Sequence, residues 1–329
     1  MNDTFRRKIF GIKNEAEFNA AAIELFRFQS SANTVYSDFI RNLGTDIRSV
    51  KDFRQIPFMP VSFFRDHDIY CSDRPPVTTF YSSGTTGMVR SHHSVADISY
   101  YEESYSRTFG LFYGEPSQYA FLALLPSYDD REGSSLVHMV KGLIRLSGND
   151  RGGFFLENHE ELLKAVDTAR GRGLKPLIIG VSFALLDLAE AGRTDLSDAV
   201  VMETGGMKGR RKEIIREELH SILCDAFNVK VIHSEYGMTE LLSQAYSSGG
   251  GLFATPPWMR ILIRDSHDPL SHSTDEGASG GISVLDLANV WSCAFIATSD
   301  LGTMHGNGRF EVLGRFDNAD IRGCNLLVS

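Results

Sequence analysis

DAVVMETGGMKGRRKEIIREELHSILCDAFNVKVIHSEYG, residues 198–237, reads as strand, helix, strand. A short apolar run ends in the pair Gly205-Gly206. KGRRKEIIREELHSILCDAFN then carries a long amphipathic helical pattern from Lys208 to Asn228, and VKVIHSEYG is a second strand that stops at Gly237. Strands that return through helices pair in parallel. The same alternation runs upstream. YAFLALLP (119–126) is a buried strand, SSLVHMVKGLIRLS a helix capped by Ser134 or Ser135, and HEELLKAVDTARGRG a helix that ends at Gly171 or Gly173. PLIIGV and SFALLDLAEAG add one more strand and helix. The expected core is therefore a largely parallel α/β sheet with flanking helices over residues 1–250.

Outside this alternation the character changes. Residues 14–43 read as two helices broken by Ser/Asn punctuation, with Phe18, Ala22, Leu25 and Phe26 at helical spacing. IPFMPVSFF (56–64) is apolar but interrupted by prolines, and reads as an irregular segment packed on a core. After residue 250 come MRILIRD, GGISVLDL, CAFIATSD and FEVLGRF, short β runs without long helices between them. Residues 251–329 are thus expected to form a β-rich, antiparallel subdomain or partial barrel.

Bulk composition narrows the function classes. With 42% hydrophobic and 23% charged residues, the 329-residue chain has an ordinary globular composition. A net charge of -9 argues against nucleic acid as the main partner. No apolar run approaches the roughly 18 residues that span a bilayer, and the start MNDTFRRKIFGIKNEAEF lacks an apolar signal core. Cys71, Cys224, Cys293 and Cys324 are far apart with no CxxC pairing, which argues against a zinc site or a disulfide framework. A reduced, cytoplasmic protein is the expectation.

Open α/β sheets bind ligands beyond the carboxyl ends of their strands. Three segments fall at such places. YSSGTTGMVR (81–90) is dense in hydroxyls and glycines, and its N–H groups suit phosphate oxygens; an ordinary polar turn is the alternative. ETGGMKGRR follows a strand directly. SEYGMTE (234–240) offers an aromatic face at Tyr236, a permissive glycine, a hydroxyl at Thr239 and a carboxylate at Glu240 suited to Mg²⁺. Glu235 and Glu240 can equally be helix N-terminal charges. In ATSDLG, Asp300 ends a β run, where it can hold ribose hydroxyls or simply make a turn. Arg315 in GRFDN suits ribose or phosphate, or a surface ion pair.

Taken in this order, the segments resemble the adenylate-forming superfamily of acyl-CoA synthetases and luciferases, over roughly residues 77–320. LLPSYDDREGSSLVHMV, ETGGMKGRRKE, SEYGMTELLSQAY, PPWM and GRFDNADIRGCNL are similar to the blocks of the LuxE-type acyl-protein synthetase family. The resemblance implies the large N-terminal domain of such enzymes without the C-terminal lid, and a site for ATP and Mg²⁺. It would make Ser82, Ser83, Gly84, Thr85, Thr86 and Gly87 the phosphate loop. Gly205 and Gly206 would border the adenine, with Tyr236 and Gly237 against it. Thr239 would touch the α-phosphate, Glu240 hold Mg²⁺, and Asp300 and Arg315 hold the ribose. Asp317 falls at the superfamily's hinge. Arg90 stands where the superfamily has a lysine. Lys208 is a candidate replacement for the lid lysine, or a solvated helix-start residue. Cys324 would carry the acyl group, or simply pack.

The implied activity is ATP-dependent activation of a carboxylic acid, a fatty acid in the LuxE-type subgroup, to acyl-AMP. The acyl group then passes to a thiol on a partner protein, a carrier protein or CoA. An acyl- or aryl-CoA ligase and a non-catalytic nucleotide- or acyl-binding scaffold are the alternatives. His92 and His93 read as structural or substrate-lining. Ser182, Phe183 and Leu186 read as acyl pocket or core, and Arg210, Arg211 and Lys212 as a solvated helix face or a phosphate contact.

Overall fold

The structure, a computed structural model, describes residues 3–83, 89–126, 133–156, 158–206, 214–265 and 268–316. Its centre is a six-stranded sheet. From one edge the strands run Gly153–Phe154, Tyr119–Leu124, Lys175–Gly180, Val200–Glu203, His233–Tyr236 and Ala245–Ser247. All neighbours are parallel except the last pair. Tyr119–Leu124 is buried at every position. That is the burial expected of a parallel strand covered by helices on both faces, and it explains a continuous apolar run instead of an alternating one.

The helices begin and end where local chemistry directs. Ser134 caps Ser135–Ser147 by accepting the Val137 N–H, and Gly148 closes that helix in the left-handed region. The next helix is His159–Gly171. The helix expected from Lys208 is shorter: among the described residues it runs Arg216–Phe227, with Ile215 extended just before it. Glu217 and Glu218 favour a start at this point because they meet the positive end of the helix dipole.

A second, antiparallel sheet holds Leu252–Phe253, Arg309–Arg315, Phe295–His305, Ser279–Asp286, Met259–Arg264 and His272–Ser273, in that order. The N-terminal segment joins this sheet. The Met59–Pro60 strand pairs parallel with Ile296 and Ala297. Gln29, buried in the Glu15–Ala32 helix, donates to the Asn289 and Val290 carbonyls and accepts the Ala294 N–H. Thr78–Tyr81 and His92–Val95 form a separate antiparallel hairpin. No helix among the described residues is long and apolar enough to cross a membrane.

Candidate active site

A cavity of about 750 Å³ opens at the carboxyl ends of Val200–Glu203 and His233–Tyr236. The turn after the first of these strands is Thr204-Gly205-Gly206. Gly205 and Gly206 sit at φ +71° and +88°, which a residue with a Cβ adopts only under strain. The buried Glu203 carboxylate fixes this turn by accepting the Gly205 N–H at 2.6 Å. Burial alone would raise the Glu203 pKa, but His220 and Arg216, each 3.7 Å away, hold it below the ordinary value.

The second turn carries Tyr236 to Glu240, and it is gripped from outside its own sheet. His93 reaches Thr239 O through Nδ1 at 2.9 Å and Ser292 Oγ through Nε2 at 2.8 Å. Burial pushes His93 down to about 4, so at neutral pH the ring is uncharged: Nδ1–H donates to the carbonyl and Nε2 accepts the serine hydroxyl. Asn289 Nδ2 donates to Glu240 O at 2.7 Å. The Asp286 carboxylate accepts the Leu242 N–H at 2.8 Å, the Ser243 hydroxyl at 2.6 Å and the Ala288 N–H at 3.0 Å. Ser243 Oγ in turn meets Ser104 Oγ and the Trp258 indole N–H. Buried polar groups bonded to the backbone in this way favour one conformation.

Side chains from both sheets face the cavity. Tyr236 packs edge-on against Phe253 and Phe310, and its hydroxyl donates to Asp300 Oδ2 at 2.8 Å. Asp300 stands opposite Arg315 in the sheet register, with 3.6 Å between Oδ1 and the guanidinium Nε. Burial raises Asp300, opposed by the Tyr236 hydrogen bond and Arg315. Glu240 is 6% exposed and lines the cavity. Burial raises it too, opposed by hydrogen bonds from its own N–H and Ser91 and by Arg315. The hairpin closes on the opposite side, where Ser82 N–H donates to Ser91 O at 2.9 Å and Ser91 N–H to Ser82 Oγ at 3.0 Å.

Ser82, Ser83, Arg90, Gly205, Gly206, Tyr236, Gly237, Thr239, Glu240, Asp300 and Arg315 therefore line one cavity. Gly84, Thr85, Thr86, Gly87, Lys208, Arg210, Arg211, Lys212, Asp317 and Cys324 lie outside the described residues. Ser182, Phe183 and Leu186 are buried in the core and do not line the cavity; their neighbour Val181 does. His93 is structural in the sense that it holds the Thr239 backbone. Cys71 and Cys293 are buried thiols, each pushed up to about 12 chiefly by that burial, and so are poor nucleophiles at neutral pH.

Several cavity residues carry no motif. Val61, Ser62 and Arg65 arrive because the Met59–Pro60 strand is pinned beside Ile296 and Ala297, a few residues from Asp300. Glu235 and Gln244 also line the cavity, both nearly inaccessible. Among the described residues no cluster of three His, Cys, Asp or Glu side chains could hold a metal by itself. Magnesium is commonly held by one or two carboxylates plus phosphate oxygens and water, and Glu240, a buried carboxyl facing the cavity, fits that donor set.

No protein-family model matches the chain, and no curated protein matches it by sequence. Solved structures do match. A 2-hydroxyisobutyryl-CoA ligase in complex with 2-HIB-AMP and CoA superposes with a TM-score of 0.65 at 11% identity, covering 95% of this chain and 77% of that one. The same ligase in the postadenylation state with R3-HIB-AMP gives 0.67 at 12% identity, over 94% and 70%. ATP-bound MatB from Rhodopseudomonas palustris gives 0.52 at 18% identity, over 72% of this chain and 47% of that one. The chain thus spans less than half the length of MatB. The likeness is one of fold: the α/β architecture is that of the large N-terminal domain of adenylate-forming enzymes.

Proposed function

We propose that the protein activates a carboxylic acid with ATP and hands the acyl group to a thiol. The observation that carries this reading is the convergence, on one cavity, of hydroxyls, paired glycines, a buried carboxyl and an Asp–Arg pair drawn from three separate parts of the fold. In the first step a carboxylate oxygen of the acid attacks the α-phosphorus of ATP, the bond to pyrophosphate breaks, and acyl-AMP forms. In the second, a thiolate attacks the acyl carbon and AMP leaves with its electron pair. Catalysis of this kind is mostly positioning and charge stabilisation.

This chain's groups divide the work. Asp300 accepts from the ribose hydroxyls, with Arg315 beside it. Tyr236 and the Gly205-Gly206 turn flank the base. Thr239 and the Ser82–Ser83 hairpin end donate to phosphate oxygens. Glu240 would hold Mg²⁺, which when bound neutralises phosphate charge. LuxE-type acyl-protein synthesis, with Cys324 as an acyl carrier, is one form of this reaction. Free CoA or a carrier-protein thiol as the acceptor is the other, and the CoA-ligase names of two structural neighbours favour CoA.

The test is acid-dependent exchange of labelled pyrophosphate into ATP. The wild-type protein should exchange with at least one carboxylic acid, and Glu240→Gln should lose about 100-fold or more of that rate while folding normally. Near-wild-type exchange in the variant removes Glu240 from the mechanism. Hydroxylamine-labile label on Cys324 separates the protein acceptor from CoA.

A further inference from the structure

Beyond the phosphate-facing residues, the same cavity is lined by Tyr101, Leu136, Met139, Glu235 and Gln244. A hydrocarbon chain would need only the apolar members of that wall. Two of the others are buried and polar. Gln244 is 3% exposed, and its Oε1 has no hydrogen-bond partner. Glu235 is 8% exposed, and the one neighbouring charge that acts on it is another carboxylate, Glu203. The two side chains sit together over Gly237: a Cβ there would lie 2.5 Å from Glu235 Oε1 and 3.5 Å from Gln244 Cγ. The Tyr101 hydroxyl donates to the Ser135 carbonyl at the start of the helix that carries Leu136 and Met139. A buried acceptor left unmatched, as Gln244 Oε1 is, opposes binding of any ligand that cannot satisfy it.

We infer that Glu235 and Gln244 form the acid-selecting wall of the site, and that the substrate is a carboxylic acid carrying a hydrogen-bond donor of its own, a hydroxyl or an amine, rather than a plain hydrocarbon acid. The inference rests on the adenylation reading above for its chemistry but not for its recognition. The donor satisfies Gln244 Oε1 and shares a hydrogen with the Glu235 carboxyl, while Leu136 and Met139 contact the carbon skeleton. The glycine at 237 makes room for the Glu235 head. Sites built to bond a substrate hydroxyl or amine reject the analogue that lacks it far more strongly than apolar pockets reject an added methylene.

The experiment compares matched acids in pyrophosphate exchange: hexanoic acid against its 2-, 3- and 6-hydroxy and 6-amino derivatives, and benzoic acid against 3- and 4-hydroxybenzoic and 4-aminobenzoic acids. The best donor-bearing acid should exceed its parent in kcat/KM by at least about 100-fold. Glu235→Leu should shrink that gap to within about tenfold, with the KM for ATP unchanged; Gln244→Leu serves the same purpose if the first variant does not fold. Glu235→Gln separates the two donors, because it keeps hydroxy acids and loses amino acids, whose ammonium on binding draws Glu235 into its ionised form. Parent acids that match or beat their derivatives overturn the inference. If no acid supports exchange, the adenylation reading fails, and calorimetric binding of the same pairs to the ATP-free protein decides the selectivity: tighter donor-bearing acids uphold it, while parity or no binding overturns it.

Discussion

The two sheets meet the cavity in different ways. The parallel sheet presents its strand ends as loops, with glycines where the backbone turns, and the antiparallel sheet adds Asp300 and Arg315 to the same cavity. The antiparallel sheet presents grips. Asp286 and Asn289, together with His93 from the hairpin, bond the backbone and the Ser243 hydroxyl of the 239–243 segment, and Ser292 holds the far side of the His93 ring. Gln244 Oε1, which belongs to the cavity wall, is left without a partner, whereas the grips around the 239–243 segment are bonded except at Asn289 Oδ1. A buried polar group left without a partner beside a cavity needs an explanation, and a bound donor is one.

The sharpest break of this contrast lies at Asp286. Asp286→Ala leaves the Leu242 and Ala288 N–H groups and the Ser243 hydroxyl without their acceptor, and should cost roughly 3–5 kcal/mol of stability. Urea denaturation measures it, and a loss below about 1 kcal/mol would show that the grip is not structural.

A smaller effect is expected at His93. His93→Leu keeps the volume but frees the Thr239 carbonyl, and should cost roughly 1–3 kcal/mol. It should also lower the exchange rate more than it weakens ATP binding, because it moves Thr239 without touching the nucleotide. Equal losses in kcat and KM would place His93 elsewhere. Its pH signature has a definite sign. The folded pKa of about 4 lies below the ordinary 6.5, so the contribution of this group to stability declines as pH falls from 6.5 to 4.

The loop side gives the opposite sign. Burial, with Glu203 nearby, pushes Glu235 up from 4.5 to about 8. The folded protein therefore binds this proton more tightly than the unfolded chain does, and stability drains away as pH rises from 4.5 to about 8. Glu235→Gln should be neutral near pH 4.5 and more stable than wild type at pH 8. Melting temperatures across that range check it; a difference that does not change with pH would mean that Glu235 is solvated and ordinary.

Local pattern made the parallel sheet readable. Apolar runs of strand length and Ser134 before a helix are signals carried by adjacent residues, and they act through local backbone and capping chemistry. The paired glycines were legible for the same reason, since Gly205 and Gly206 occupy a backbone region that other residues avoid. The helix start at Arg216 was not legible, because the amphipathic pattern continues through Ile214 and Ile215, which are not helical in the structure.

By itself the sequence determined the alternation of strands and helices, the change to antiparallel β structure near residue 250 and the three segments from which a site could be made. Only the tertiary structure decided what those segments meet. His93 finds Thr239 across 146 positions, Asp300 finds Arg315 through sheet register, and Arg65 reaches the cavity because Met59 pairs with Ile296. Glu235 reads in the sequence as one more acidic residue beside a glycine. Its burial against Gln244 and a second carboxylate is a property of the packed interior, where low dielectric and fixed neighbours give a side chain a character that its type and spacing do not.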